Sequence, residues 1–120
     1  MYYRTTKVTH KPGVQDQIRD YLKSKEDMMK TIVGLQSVTL IEIDETSSMG
    51  ISLYENEQQV INAEEQFKEI MGGMMSFMTA PPEINNGNQF WKFELLPLNH
   101  PFVFLTKSTF SYFNILKLDK

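Results

Sequence analysis

Residues 35–57 read LQSVTLIEIDETSSMGISLYENE, and this stretch decides the fold. Leu35–Asp44 is dominated by β-branched and aliphatic side chains, which fit a pleated surface, so it predicts a strand. Glu45-Thr46-Ser47-Ser48 carries turn chemistry and predicts a hairpin connection. In residues 49–55, Met49, Ile51 and Leu53 alternate with Gly50, Ser52 and Tyr54, the period-two pattern of a second strand with bulk on both faces. Asn56 then supplies a side-chain oxygen for the free N–H groups of a helix start, with Gln59 three residues on in capping-box spacing.

Working outward, residues 2–10 are rich in Tyr, Thr and Val and predict an earlier strand, stopped by Lys11-Pro12-Gly13. Val14, Ile18, Tyr21, Leu22, Met28 and Met29 recur at helical spacing and predict one helix ending near Thr31, before Gly34. Downstream of Asn56, the stripe Val60, Ala63, Phe67, Ile70, Met71, Met74, Met75 and Met78 predicts a second helix of about four turns. Gly72-Gly73 is the expected weak point in that helix, and Ala80-Pro81-Pro82 ends it. Asn85-Asn86-Gly87-Asn88 reads as a loop, and residues 89–95 as a fourth strand holding Trp91. The order strand, helix, strand, strand, helix, strand is the split βαβ arrangement of an α+β, ferredoxin-like fold. It implies a four-stranded antiparallel sheet with two helices on one face. Residues 1–96 make this unit. Residues 97–120 form an aromatic-rich extension with Phe102, Phe104, Phe110, Tyr112 and Phe113, whose apolar strands are expected to pair with the sheet edge or to exchange with a second chain.

Composition narrows the function. The chain has 120 residues, 12 Lys plus Arg against 15 Asp plus Glu, and a net charge of −3, so no basic surface recommends nucleic acid as a partner. The third strand also lacks the basic and aromatic signature of an RNA-binding sheet. With no cysteine, disulfides, thiolate metal sites and cysteine nucleophiles are excluded. His10 and His100 lie far apart with no carboxylate pair at ligand spacing, so no metal is expected. Residues 70–82 are too short and too interrupted by Gly and Pro to span a bilayer, and the N-terminus lacks the apolar core of a signal peptide. The expectation is a cytoplasmic protein without a membrane partner.

Several local motifs occur in a familiar order. Lys11-Pro12-Gly13 after the first strand resembles the "kPG" turn of dimeric α+β barrel proteins. Gly34-Leu35 resembles their "pGl" element, with Val33 where proline is common. Leu53-Tyr54-Glu55-Asn56-Glu57 resembles their "tyWeseea" junction, with Tyr54 in the tryptophan position. The nearest branch is similar to the antibiotic biosynthesis monooxygenases. That resemblance implies a homodimer, a small aromatic substrate between helices and sheet, reaction with O₂ and no cofactor. The haem-degrading branch fits poorly: the first strand has no asparagine, and the second helix has neither tryptophan nor histidine. Fold alone does not fix function. Two readings therefore stand: a cofactor-independent monooxygenase-like enzyme, or a non-enzymatic dimer that binds a small apolar ligand.

Tyr2, Arg4, Thr6, Val8 and His10 share one face of the first strand. If that face lines a pocket, Arg4 can hold a phenolate and His10 can accept a proton. The plainer expectation makes Arg4 a surface ion-pair partner and leaves His10 at an exposed strand end. Tyr54 and Trp91 suit the walls of a site for flat organic ligands, and Asn62 can orient a substrate carbonyl. The cluster Met71, Met74, Met75 and Met78 reads either as helix core or as an adaptable ligand surface. A homodimer is expected because one sheet face has apolar residues and no helix over it.

Overall fold

A computed structural model describes residues 1–95, so all expectations for residues 97–120 lie outside the described residues. The chain divides into two units, Met1–Gln89 and Phe90–Lys120. The first unit runs β1 (Tyr2–Thr9), α1 (Gln15–Lys23), α2 (Glu26–Met29), β2 (Leu35–Asp44), β3 (Ser47–Tyr54), α3 (Glu57–Asn62), α4 (Glu64–Met74) and β4 (Glu83–Asn88). Its four strands lie in the order β2-β3-β1-β4, and every pair is antiparallel. This is the ferredoxin-like arrangement, and the hairpin of residues 35–57 forms one half of the sheet. No helix among the described residues is long and apolar enough to cross a membrane.

Local chemistry explains the joints. Asp44 closes the β2–β3 hairpin by accepting from the Thr46 N–H at 2.9 Å and the Ser47 hydroxyl at 2.9 Å. Those bonds, led by the Thr46 N–H, favour the carboxylate and pull its pKa below the usual value. Asn56 caps α3 by accepting from the Gln59 N–H at 3.1 Å. Gln59 does not complete the box; its side-chain amide donates to Glu55 instead. Two motifs far apart in sequence meet here, because the Glu55 N–H donates to the Gly34 carbonyl at 3.0 Å. Gly34 has φ +85, a backbone conformation that favours glycine, and a Cβ there would also push aside the end of the Gln59 side chain.

Three expectations need correction. The first helix is two, because the chain turns at Ser24, whose hydroxyl and N–H both bond back to the Tyr21 carbonyl. The second helix breaks at Ala63 and not at Gly72-Gly73, which lie inside α4. Gly73 serves packing: a Cβ would meet the Tyr21 hydroxyl at 2.0 Å, and that hydroxyl donates to the Ile70 carbonyl at 2.8 Å. The fourth strand is Glu83–Asn88, and residues 89–95 contain no strand. The Thr79 N–H donates to the Thr9 carbonyl at 2.9 Å, and His10 bridges Met78. The chain therefore arrives antiparallel to β1, and the residues that follow pair with it despite poor strand propensity.

Two core clusters lie on the helix-covered face. One joins Tyr2, Ile32, Tyr54, Val60 and Ala63, with Leu35 packed against them. The other joins Val8, Ile18 and Met74, with Tyr21, Leu22 and Met71 around them.

Candidate functional site

The register places Tyr2 opposite Tyr54, Arg4 opposite Ser52, Thr6 opposite Gly50 and Val8 opposite Ser48. All eight therefore share the face under the helices. Arg4, expected at the surface, is only 2% exposed. Its Nη2 donates to Glu64 Oε1 at 3.2 Å, and its guanidinium carbon lies 3.8 Å from the centre of the Phe67 ring. Glu64 and Phe67 are three residues apart on α4, so one helix face supplies both contacts. Nε and Nη1 of Arg4 are buried and have no hydrogen-bond partner among the described residues. A buried charge needs full pairing, and Glu64, whose side chain is 49% exposed, meets that need only in part.

Tyr54 is buried beside this pair. Burial pushes its phenol above the ordinary tyrosine pKa; the positive charge of Arg4 opposes this and Glu64 adds to it. Tyr54 is thus a neutral hydroxyl at physiological pH. Two spaces adjoin the cluster. A chamber of about 80 Å³ between sheet and helices is lined by Thr6, Ser52, Tyr54, Phe67, Met71 and Met74, with other apolar groups. An open groove of about 570 Å³ is lined by Glu64, Phe67, Met71, Met75, Met78 and Ile84, with neighbouring residues. Phe67 and Met71 line both spaces. The methionines have divided roles: Met74 is buried in the core, while Met71, Met75 and Met78 wall the groove.

Within the first unit, His10 and Asn62 lie apart from this cluster. His10 is 1% exposed, not at an exposed strand end. Its Nδ1–H donates to the Lys11 carbonyl at 2.8 Å, which leaves Nε2 to accept from the Ser48 hydroxyl at 2.9 Å. Asn62 is exposed on α3 and accepts from the Gln58 side-chain amide at 3.0 Å. Trp91 falls in the second unit, beyond β4. The structure brings Arg4 and Tyr54 together and adds Glu64 and Phe67, which sequence reasoning missed. One signal was available. Arg4 is a lone cation on the inward face of β1, and Glu64 precedes a stripe residue, Phe67, by one helical turn.

No protein-family model and no curated protein sequence matches the chain. Solved structures do match. A putative antibiotic biosynthesis monooxygenase from Nitrosomonas europaea superposes with TM-score 0.64 at 10% identity, covering 76% of this chain and 100% of that one. The fold is that of the antibiotic biosynthesis monooxygenase-like proteins. SnoaB, a cofactor-independent oxygenase from Streptomyces nogalater, gives 0.64 at 12% identity over 76% of this chain and 94% of its own. A monooxygenase from Streptomyces coelicolor, in complex with nanaomycin D, gives 0.60 at 14% identity over 80% and 91%. A protein of unknown function from Nitrosomonas europaea matches at TM-score 0.62 and 13% identity, covering 80% of this chain and 95% of that one. These likenesses establish the fold and leave substrate and chemistry open.

Proposed function

We propose that this protein is a cofactor-independent monooxygenase-like enzyme that takes a small aromatic substrate into the groove between α4 and the sheet. The observation that carries this reading is Arg4: a buried cation with unfilled hydrogen-bond donors, held behind Glu64 and Phe67, which are two residues of the groove wall. Such a site combines apolar walls with a few convergent polar groups. Phe67 and the methionines receive a flat ring. Arg4 recognises an acidic oxygen. Tyr54, a neutral phenol in the chamber that shares Phe67 and Met71 with the groove, donates a hydrogen bond to a substrate oxygen that reaches past those two side chains, and Glu64 on the groove wall accepts a proton. Both ring nitrogens of His10 are engaged, so the base role proposed for it passes to Glu64. In the reaction one atom of O₂ enters an activated ring carbon. The other leaves as water with the two hydrogens lost by that carbon. The test is oxygen uptake with anthrone-type phenols, using protein with no added flavin or metal. Uptake that Tyr54→Phe and Glu64→Gln reduce supports the reading. No uptake above buffer across a broad panel rejects it, and native mass spectrometry then tests for simple ligand binding.

The working unit in this reading is a homodimer. Tyr3, Thr5, Ile41, Met49, Ile51 and Leu53 lie on the sheet face opposite Arg4, where a second copy covers them.

A further inference from the structure

Arg4 is already arranged to bind a carboxylate. A guanidinium offers two forks, Nε with Nη2 and Nη1 with Nη2. Glu64 occupies Nη2, the nitrogen common to both forks, and the remaining nitrogen of each fork is buried and unpartnered. Nη2 points one N–H into each fork, so Glu64 Oε1 takes up half of one fork at most, and neither fork holds both oxygens of a carboxylate. Glu64 itself is loosely held: its side chain is half exposed, it lines the groove, and this is its only hydrogen bond among the described residues. Releasing it to solvent costs little, whereas leaving Arg4 without a counter-charge costs much more.

We propose that the ligand of this groove carries a carboxylate, which displaces Glu64 from Arg4 and fills a fork with both oxygens. The proposal rests on the reading of the groove as the ligand site and names the class of ligand, an aromatic carboxylic acid. Two chemical facts favour a carboxylate over a phenolate as the group on Arg4. A carboxylate is already ionised at neutral pH, whereas a phenol with pKa near 10 must first lose its proton. A phenolate also has one oxygen and leaves a fork open, while a carboxylate has two oxygens at the spacing of the fork. The ring then lies on the groove side of Phe67, among Met71, Met75 and Met78. Once displaced, Glu64 stands at the groove wall as a free carboxylate, the state a proton acceptor requires.

The full-length protein is titrated calorimetrically with naphthoate and with naphthamide, its neutral isostere. The wild type is expected to bind naphthoate about tenfold tighter or more, as bidentate charge-assisted bonds allow. Arg4→Met is expected to remove that preference. Arg4→Lys keeps the charge, loses the fork, and loses most of the preference, so it carries the test if Arg4→Met fails to fold. Glu64→Gln is expected to tighten naphthoate binding alone, because the internal competitor is gone. Equal affinity for the two compounds, or a preference that survives at Arg4→Lys and Arg4→Met, overturns the carboxylate assignment while the groove stands as a ligand site. Unchanged or weaker naphthoate binding by Glu64→Gln overturns displacement. Binding of neither compound by the wild type overturns the groove reading, and the proposal with it.

Discussion

β1 and β2 are neighbours-but-one in the same sheet and live in opposite environments. β1 is central, and Tyr2, Arg4, Thr6, Val8 and the following His10 are all buried. β2 is at the edge, and Val38, Leu40, Ile41 and Ile43 are each at least 41% exposed. The more polar strand is inside and the more apolar one outside. Position in the sheet decides this, since helices packing over β1 and β3 bury whatever those strands present, while β2 keeps one unpaired edge. The contrast has functional content. Buried polar groups are costly and therefore informative. His10 meets the cost with two hydrogen bonds, while Arg4 meets it only in part and marks the candidate site. Exposed apolar groups on β2 and on the open face are the surface that the proposed second copy would cover.

The sharpest way to break the comparison is to cut side chains from each environment. Ile18→Ala, beneath the helix-covered face, is expected to cost about 3 kcal/mol in urea unfolding, as for other buried aliphatic truncations. Ile41→Ala on β2 is expected to cost under about 0.5 kcal/mol within the monomer. Equal losses would mean that the open face is as buried in solution as the covered one. Next in size, Ile51→Lys puts a charge on the open face and is expected to shift the molecule to monomer in sedimentation, with the helical signal retained. An unaltered dimer would place the interface elsewhere.

Adjacent glycines give a smaller effect of opposite signs. Gly73→Ala drives a methyl into the Tyr21 ring and is expected to lower stability by about 1–3 kcal/mol. Gly72→Ala meets nothing and is expected to raise it by up to about 1 kcal/mol, because alanine is the better helix former. Thermal melts of the two variants decide it. The smallest effect appears only in alkali. The Tyr54 phenol has a raised pKa in the fold, so its neutral form stabilises the native state below about pH 10, and that stability is lost as pH rises through the folded value. Tyr54→Phe is expected to flatten the decline of stability above about pH 10 relative to wild type. A decline as steep as in wild type would show that Tyr54 ionises as easily in the fold as in the unfolded chain.

Much of the architecture was legible along the chain because it depends on short-range patterns. Leu35–Asp44 is rich in β-branched and aliphatic residues, Asn56 caps its helix, and Gly34 marks a turn with positive φ. Two of the three motifs that carried the family resemblance lie in contact, Gly34 with Glu55 and Leu35 opposite Tyr54. The errors arose where a distant partner overrides local preference. Glu83–Asn88 becomes a strand because β1 has a free edge beside it, and Gly72-Gly73 stays helical because Tyr21 packs there. Of the candidate site, Arg4 and Tyr54 were visible as residues of one strand face and one strand end. Glu64 and Phe67 were not, since nothing near them in sequence requires an ion pair or a cation over a ring.

By itself, then, the sequence determined the order of the elements, which residues share one face of β1 and the exclusion of cysteine chemistry, because periodicity and composition are local properties. Only the tertiary structure decided that Arg4 is buried, that Glu64 is its sole carboxylate partner among the described residues, and that His10 is bound on both nitrogens. Those facts depend on which helix lies over which strand, and a separation of 60 positions between Arg4 and Glu64 leaves no local record of that contact.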